Sequence, residues 1–334
     1  MSELLGRGLR RHRELAGLTQ ADLAARAGVS RQLVGAVEAG RHLPRVDAAL
    51  ALAGVLGVEV AELFGTVARV VDVVSGDKPG DGASLRLGWV GDRLVSTPAR
   101  IGADGWDVAD GVMEGHRLNR LDGIRTGAVV AGCEPALETV ERLMRQGGLG
   151  GVAVPASSAV ALEAVVGGRA HAAVVHGPNG ALPTAPPGIV RFLLAGWRVG
   201  LARPDGIGRS WWARVISGEL EVVQREAGAA VQRTFEEATG VSSVPGRRVG
   251  GHIVAARTGT AAGLPAVTIE PAARAVGATF HSLGDHAAEV WVGEQWLGER
   301  GVEEMIAMIG SWRFRRILEA VGGYRVEGMG RGVA

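Results

Sequence analysis

The string TQADLAARAGVSRQLVGAVEAG, from Thr19 to Gly40, constrains this chain more than any other stretch. Thr19 and Ser30 carry hydroxyls suited to capping a helix N-terminus, and each precedes a short run of helix-compatible residues. Gly28 and Gly40 close the two runs, because glycine readily enters the left-handed conformation that ends a helix. The spacing predicts two short helices joined by a tight turn at Ala27-Gly28-Val29. Leu23, Ala24, Val29, Val34 and Val37 form the small core between them. Leu5, Leu9, Leu15 and Leu18 place another helix before this pair. Pro44 and Asp47 open one after it, and a last turn, VEVAELF, ends at Phe64.

The second helix of the pair leaves Arg31, Gln32, Gly35 and Ala36 on its outer N-terminal part. A helix of this kind fits the major groove of DNA, where Arg pairs with guanine and Gln with adenine in bidentate fashion. Gln20, at the start of the preceding helix, is placed to meet a phosphate. Charge agrees. Residues 1–45 hold eight arginines against Glu3, Glu14, Asp22 and Glu38, a formal +4, whereas the whole chain is at +1 and its remainder therefore at −3. The near-balance excludes a protein coated in positive charge, and the local excess sits where phosphates would be met. The pattern T-Q-x-x-L-A-x-x-A-G-V-S-R-x-x-V-x-x-V-E-x-G, with Pro44 and the ending at Phe64, resembles the phage-repressor-like (XRE) helix-turn-helix family over residues 4–64. The resemblance implies a five-helix domain with Gln20, Arg31 and Gln32 as DNA contacts, Ser30 as cap and Arg41 near the backbone. Glu38 holds the fold. Gly35 and Ala36 depart from the family, where larger polar readers often sit.

A chain of 334 residues, 47% hydrophobic and 21% charged, has material for two domains, or three small ones. One cysteine, Cys133, excludes an internal disulfide framework and a multi-cysteine zinc site. The N-terminus has no apolar signal core. The longest uncharged stretch, Ala170 to Val190, carries four prolines and three glycines and makes no membrane span. The expected location is the cytoplasm. The Gly/Pro/Ser/Asp run within residues 67–84 is the expected linker.

From Leu85 onward, short apolar runs alternate with helical segments, among them WDVADGVMEGHRL (106–118), which predicts βαβ units and a parallel sheet. GLGGVA (148–153) has the form of a dinucleotide fingerprint but follows a helical segment, and reads as a turn into a strand. There is no G-x-S-x-G, Walker A, H-E-x-x-H or C-x-x-C string, so no local motif supports an enzyme, a cofactor or a metal. Three strand-to-helix turns present small or polar residues: Cys133 and Glu134, then Ser157 and Ser158, then Arg225 with Gly228, Ala229 and Ala230. In an open α/β sheet, ligands sit outside the carboxyl ends of the strands. These residues and His176 converge if their strand ends face one cleft.

Residues 85–330 resemble the periplasmic-binding-protein-like domain found fused behind helix-turn-helix domains and often labelled substrate- or molybdate-binding. The matching features are A-G-C-E-P-A-L (131–137), V-x-x-S-S-x-x-A-L-x-A-V-x-x-G-R-x-H-A-A-V-V-H (154–176), the cluster near Trp197, V-x-R-E-x-G-x-x-x-Q-R-x-F (223–235), I-E-P-A-A-R-A-x-G (269–277) and W-R-F-R-x-x-L-x-x-x-G-G-Y (312–324). The resemblance implies two α/β lobes joined by crossing strands near Gly196–Ala202 and Ala287–Val292, with the ligand between the lobes and Trp197 in the candidate ligand set. Ala229 and Ala230 stand where Ser or Gly-Ser often supply donors, which points to a less polar ligand or to binding by amides alone.

The expectation is an all-α five-helix domain (1–66), a linker (67–84) and a two-lobed α/β domain (85–334). The corresponding function is a one-component regulator, not an enzyme, with double-stranded operator DNA and a small-molecule effector as partners, no membrane and no cofactor. It would act as a homodimer or higher homo-oligomer, since one short helix reads too few bases alone. Two alternatives stand beside it: an enzyme-like domain fused to a DNA-binding module, and a constitutive repressor whose large domain only mediates assembly.

Overall fold

The computed structural model describes residues 2–58, 60–64, 70–99, 101–102, 105–106, 108–115, 117–121, 127–178, 181–240 and 244–333. The expected boundary at residue 66 and the start of the linker lie outside them. The chain forms two compact units. One comprises Met1–Val71, Asp77–Leu85 and Gly91–Asp122, the other Asp72–Gly76, Arg86–Val90 and Gly123–Ala334.

The first unit begins with five helices: α1 (Ser2–Leu15), α2 (Gln20–Ala27), α3 (Arg31–Glu38), α4 (Val46–Leu56) and α5 (Val60–Phe64). Thr19 caps α2 in a reciprocal box with Asp22, and Ser30 caps α3 by accepting from Leu33 N–H. Gly28 ends α2 at φ +66°, where a side chain would be strained. Leu9, Leu23, Val34, Val37 and Leu52 are fully buried together, with Val29 packed at their edge. Burying each large side chain contributes about 1.5–3 kcal/mol.

Among the described residues, seven short strands follow in the chain: β1 (Val71–Asp72), β2 (Ser84–Val90), β3 (Arg93–Pro98), β4 (Ile101–Gly102), β5 (Gly105–Trp106), β6 (Gly111–Glu114) and β7 (Arg117–Arg120). Here the helix predicted over 106–118 is wrong. Gly115, at φ +59°, makes the turn of a hairpin in which Gly111–Glu114 pair with Arg117–Arg120. Burial alternates along Gly111, Val112 and Met113 with the period of a strand.

The second unit holds β8 (Gly127–Gly132), α6 (Ala136–Gln146), β9 (Gly150–Pro155), α7 (Ser158–Val166), β10 (Ala172–Pro178), β11 (Ile189–Arg203) and α8 (Trp211–Ile216). After these come β12 (Gln224–Arg225), α9 (Ala230–Thr239), β13 (Arg248–Val249), α10 (His252–Ala262), β14 (Ala266–Ile269) and α11 (Glu270–Ala275). The chain then runs through β15 (Thr279–Gly293), α12 (Arg300–Ile309), α13 (Trp312–Val321), β16 (Tyr324–Arg325) and β17 (Gly332–Val333). The GLGGVA segment is the expected turn into a strand, with Gly148 at φ +81° before β9. The main sheet runs β14-β11-β15-β10-β8-β9, with β16 and β17 also on β11. β8, β9 and β10 are parallel, whereas β11 and β15 are antiparallel to each other over their lengths.

Those two 15-residue strands are the expected crossings. One end of β15 pairs with β10, through Val292↔Ala172 to His286↔Pro178, and one end of β11 pairs with β14, through Val199↔Ile269 to Ala202↔Ala266. Each strand thus belongs to both lobes. Gly200 lets the pair close, since a Cβ there would meet the His281 carbonyl oxygen at 1.9 Å. The runs ATFHSL and AAEVWV, separate in the sequence pattern, are one continuous strand. No helix among the described residues is long and apolar enough to cross a membrane.

Candidate functional site

In the first unit, Arg31 and Gln32 open α3 and are exposed, and Arg41 is exposed just beyond it. Ser30 is used by its cap. Glu38 is turned inward: its side chain accepts from Arg13 Nε at 2.6 Å and from Gln20 Nε2 at 2.8 Å. Gln20 therefore has its side-chain nitrogen engaged, leaving its carbonyl oxygen and the backbone N–H of the first helical position. The Arg13–Glu38 pair ties α1 to α3, and it raises the Arg13 pKa through the hydrogen bond.

In the second unit, a cavity of about 310 Å³ opens at the carboxyl ends of the lobe strands. Cys133 follows β8, Ser157 and Ser158 follow β9, His176 lies near the end of β10 and Arg225 ends β12; all five line the cavity. Gly228, Ala229 and Ala230 line it from the start of α9. Eight of the ten candidate ligand residues are thereby brought together. Glu134 and Trp197 are not among the lining. Glu134 is buried behind it, accepting from Ala136 N–H at 3.0 Å and from the Tyr324 hydroxyl, and burial pushes its carboxyl up to about 7. Trp197 is fully buried in β11 with its ring 5.7 Å from that of His176.

The pattern of strand-to-helix turns missed His252 and Arg233. His252 is the first residue of α10, after Gly251, with no apolar strand before it to signal a turn. It is buried and lines the cavity beside Cys133 and His176, and one ligand-type atom from each of the three lies within 4.8 Å of the others. The Cys133 Sγ···His176 Nε2 distance is 2.8 Å, and Ser158 Oγ accepts from His176 N–H at 3.3 Å. Burial drives the thiol up to about 12 and His176 down to about 3, so both are neutral near pH 7. The thiol then donates to His176 Nε2, which leaves the proton on Nδ1, buried and without an acceptor among the described residues. Arg225 is buried too. Its Nε and Nη2 grip Glu226 at 2.9 and 2.7 Å, and its Nη1 lies 2.6 Å from His252 Nδ1.

Cys133, His176 and His252 are also the set that could hold a soft metal ion. Binding would require deprotonating a thiol that burial keeps protonated, and would set the cation near the Arg225 guanidinium, which would repel it. Metal-bound histidines usually donate their other N–H to an acceptor. Here the neighbour of His252 Nδ1 is Arg225, which has only donors. The residues do not fit a resident cation.

The helix-turn-helix model HTH_3 matches residues 9–63. An uncharacterized HTH-type transcriptional regulator of Methanocaldococcus jannaschii is 41% identical over 56 residues, which are 17% of this chain and 85% of that protein. The restriction-modification controller protein C.AhdI from Aeromonas hydrophila is 39% identical over 19% of this chain and 94% of its own, with a TM-score of 0.18. An ABC-type phosphate transport receptor from Vibrio cholerae aligns over 60% of this chain and 99% of its own, at 12% identity and a TM-score of 0.42. The two-lobed architecture rests on the strand order and the two crossings described above. With the matched helices carrying caps, core and exposed α3 residues as described, the chain belongs to the HTH-type transcriptional regulators.

Proposed function

We propose that this regulator is ligand-responsive. Its helix-turn-helix binds operator DNA as a homodimer in the cytoplasm, and its C-terminal α/β domain, taken from residue 85, binds a small molecule between its lobes. Arg31 and Gln32 read bases, while Gln20, Ser30 and Arg41 position the backbone. Leu43, Val46 and Leu50 support dimerisation, being large apolar side chains 58%, 77% and 59% exposed around α4. The observation that carries the ligand reading is the cavity itself, lined by the starts of α7, α9 and α10 and by His252, whose buried Nε2 has no partner among the described residues. A helix start offers free N–H groups and a positive dipole end, suited to an oxyanion or a small polar metabolite. Cys133, a neutral thiol and a poor nucleophile, serves in this reading as a wall of the binding cavity.

A ligand regulates only if it binds the DNA-competent and incompetent states with different affinity. The test selects an operator from random duplexes with the full chain, then titrates operator affinity with and without small molecules that raise its melting temperature. A shift in affinity is expected. A ligand that occupies the cavity and leaves operator affinity unchanged would make the domain an assembly element.

A further inference from the structure

The cavity is built for one kind of small molecule, and its charge, tautomers and walls say which. The charged side chains on its lining are Arg225, Arg233 and Glu226, a net +1. Arg225 is already held by Glu226, and Arg233 Nη1 donates to the Gly228 carbonyl oxygen at 2.5 Å. One negative charge balances this lining, whereas a second would be left uncompensated in a partly desolvated space.

The tautomers point the same way. A guanidinium has only donors, so Arg225 makes His252 Nδ1 an acceptor and puts the ring proton on Nε2. That N–H is buried and meets no acceptor among the described residues. The Ala230 and Val231 N–H groups at the start of α9 have no partner within their helix. All three residues line the same cavity, and an acceptor is the ligand group that such donors take.

Beside the polar side chains of Cys133, Ser157, Ser158 and His176, the remaining wall is apolar. Ala159, Leu162, Val175 and Pro183 line it, and Ala229 and Ala230 bring no hydroxyl to the α9 turn. A space of 310 Å³ equals the liquid volume of about ten waters, far more than a bare oxyanion fills. Resting on the ligand-binding reading above, we propose that the cavity binds an organic monocarboxylate, with its carboxylate on His252 Nε2 and the first-turn amides of α9 and its apolar body against Leu162, Val175 and Pro183.

The test is calorimetry on the full chain with sodium isobutyrate, isovalerate and benzoate, the neutral isostere isovaleramide, sodium phosphate and molybdate, and zinc chloride. Among the carboxylates, affinity should rise about fourfold for each buried methylene. Isovaleramide should bind at least about tenfold more weakly than isovalerate. His252→Phe should lose about tenfold for every carboxylate, and Leu162→Ser should flatten the dependence on chain length while keeping the preference over the amide. Leu162→Ser serves as the readout if His252→Phe fails to fold. The proposal is overturned by phosphate or molybdate binding more tightly than the carboxylates, by equal binding of isovalerate and its amide, by zinc binding that Cys133→Ser abolishes, or by no carboxylate binding. Carboxylate binding without any change in operator affinity would overturn the regulatory reading alone. An inorganic anion that shifts operator affinity would overturn this inference and leave that reading standing.

Discussion

The helix-turn-helix and the cavity, the two proposed recognition surfaces, are assembled in opposite ways. The candidate DNA contacts run from Gln20 to Arg41 on two adjacent helices and the segments at their ends, while the cavity draws on residues from Cys133 to His252 in separate strands and helices. The first presents exposed arginine and glutamine from a locally capped helix. The second gathers buried neutral histidines, a half-buried thiol and a buried, paired arginine. A surface that meets polyanionic DNA can leave its charges in water. A cleft that encloses a small molecule must settle each proton and each charge inside the protein.

The largest separation between the two should come from the core of each. Gly200→Val forces atoms into the β11–β15 contact at His281 and should unfold the α/β unit. Thermal melts with a fluorescence probe in each unit should then show the helix-turn-helix transition retained; its loss would refute local assembly. Arg13→Ala leaves Glu38 buried without its cation and should cost the helical unit about 3–5 kcal/mol, read from a urea midpoint.

Acid should act on the cavity unit. Burial holds His176 down at about 3, His286 at about 4 and His252 well below its ordinary 6.5. Unfolding releases these rings to titrate near 6.5, so their contribution is present above that pH and is lost as pH falls towards 4 and 3. Glu134 runs the other way, because its carboxyl, raised from 4.5 to about 7, favours the folded state at low pH and loses that contribution as pH rises through 7. Three histidines outweigh one carboxyl between 4.5 and 6.5, so urea midpoints of this unit should fall from pH 6.5 to pH 4.5. A midpoint that rises would show the carboxyl dominating.

Smaller effects are expected in the segment proposed to read DNA. Arg31→Ala should cost about 1–3 kcal/mol of specific operator affinity by gel shift, and unchanged affinity would remove it from base reading. Ser30→Ala removes the cap of α3 and should cost about 1 kcal/mol, read from the helical unit's midpoint.

How far each region could be read from its residues follows from the same contrast. Thr19, Gly28, Ser30 and the periodic Leu23, Val34 and Val37 signal through neighbours a few positions away, so caps, turn and core were legible. Strand-to-helix turns carry a local signature too, which is how Cys133, Ser157, Ser158 and the 228–230 turn were found. The helix expected over 106–118 failed because strand pairing with residues further along overrode a weakly helical pattern. His252 stayed hidden because a helix start at Gly251-His252 says nothing about Arg225, 27 positions earlier. Glu134 and Trp197 sat close to the signal but behind the wall.

The sequence by itself determined a capped helix-turn-helix with a basic head and an alternating α/β body, since caps, periodicity and charge are properties of neighbouring residues. Only the tertiary structure decided which strand ends share a cleft, which nitrogen of His252 bears the proton and which charges are already paired. Those depend on long-range pairing and on how far each group is removed from water.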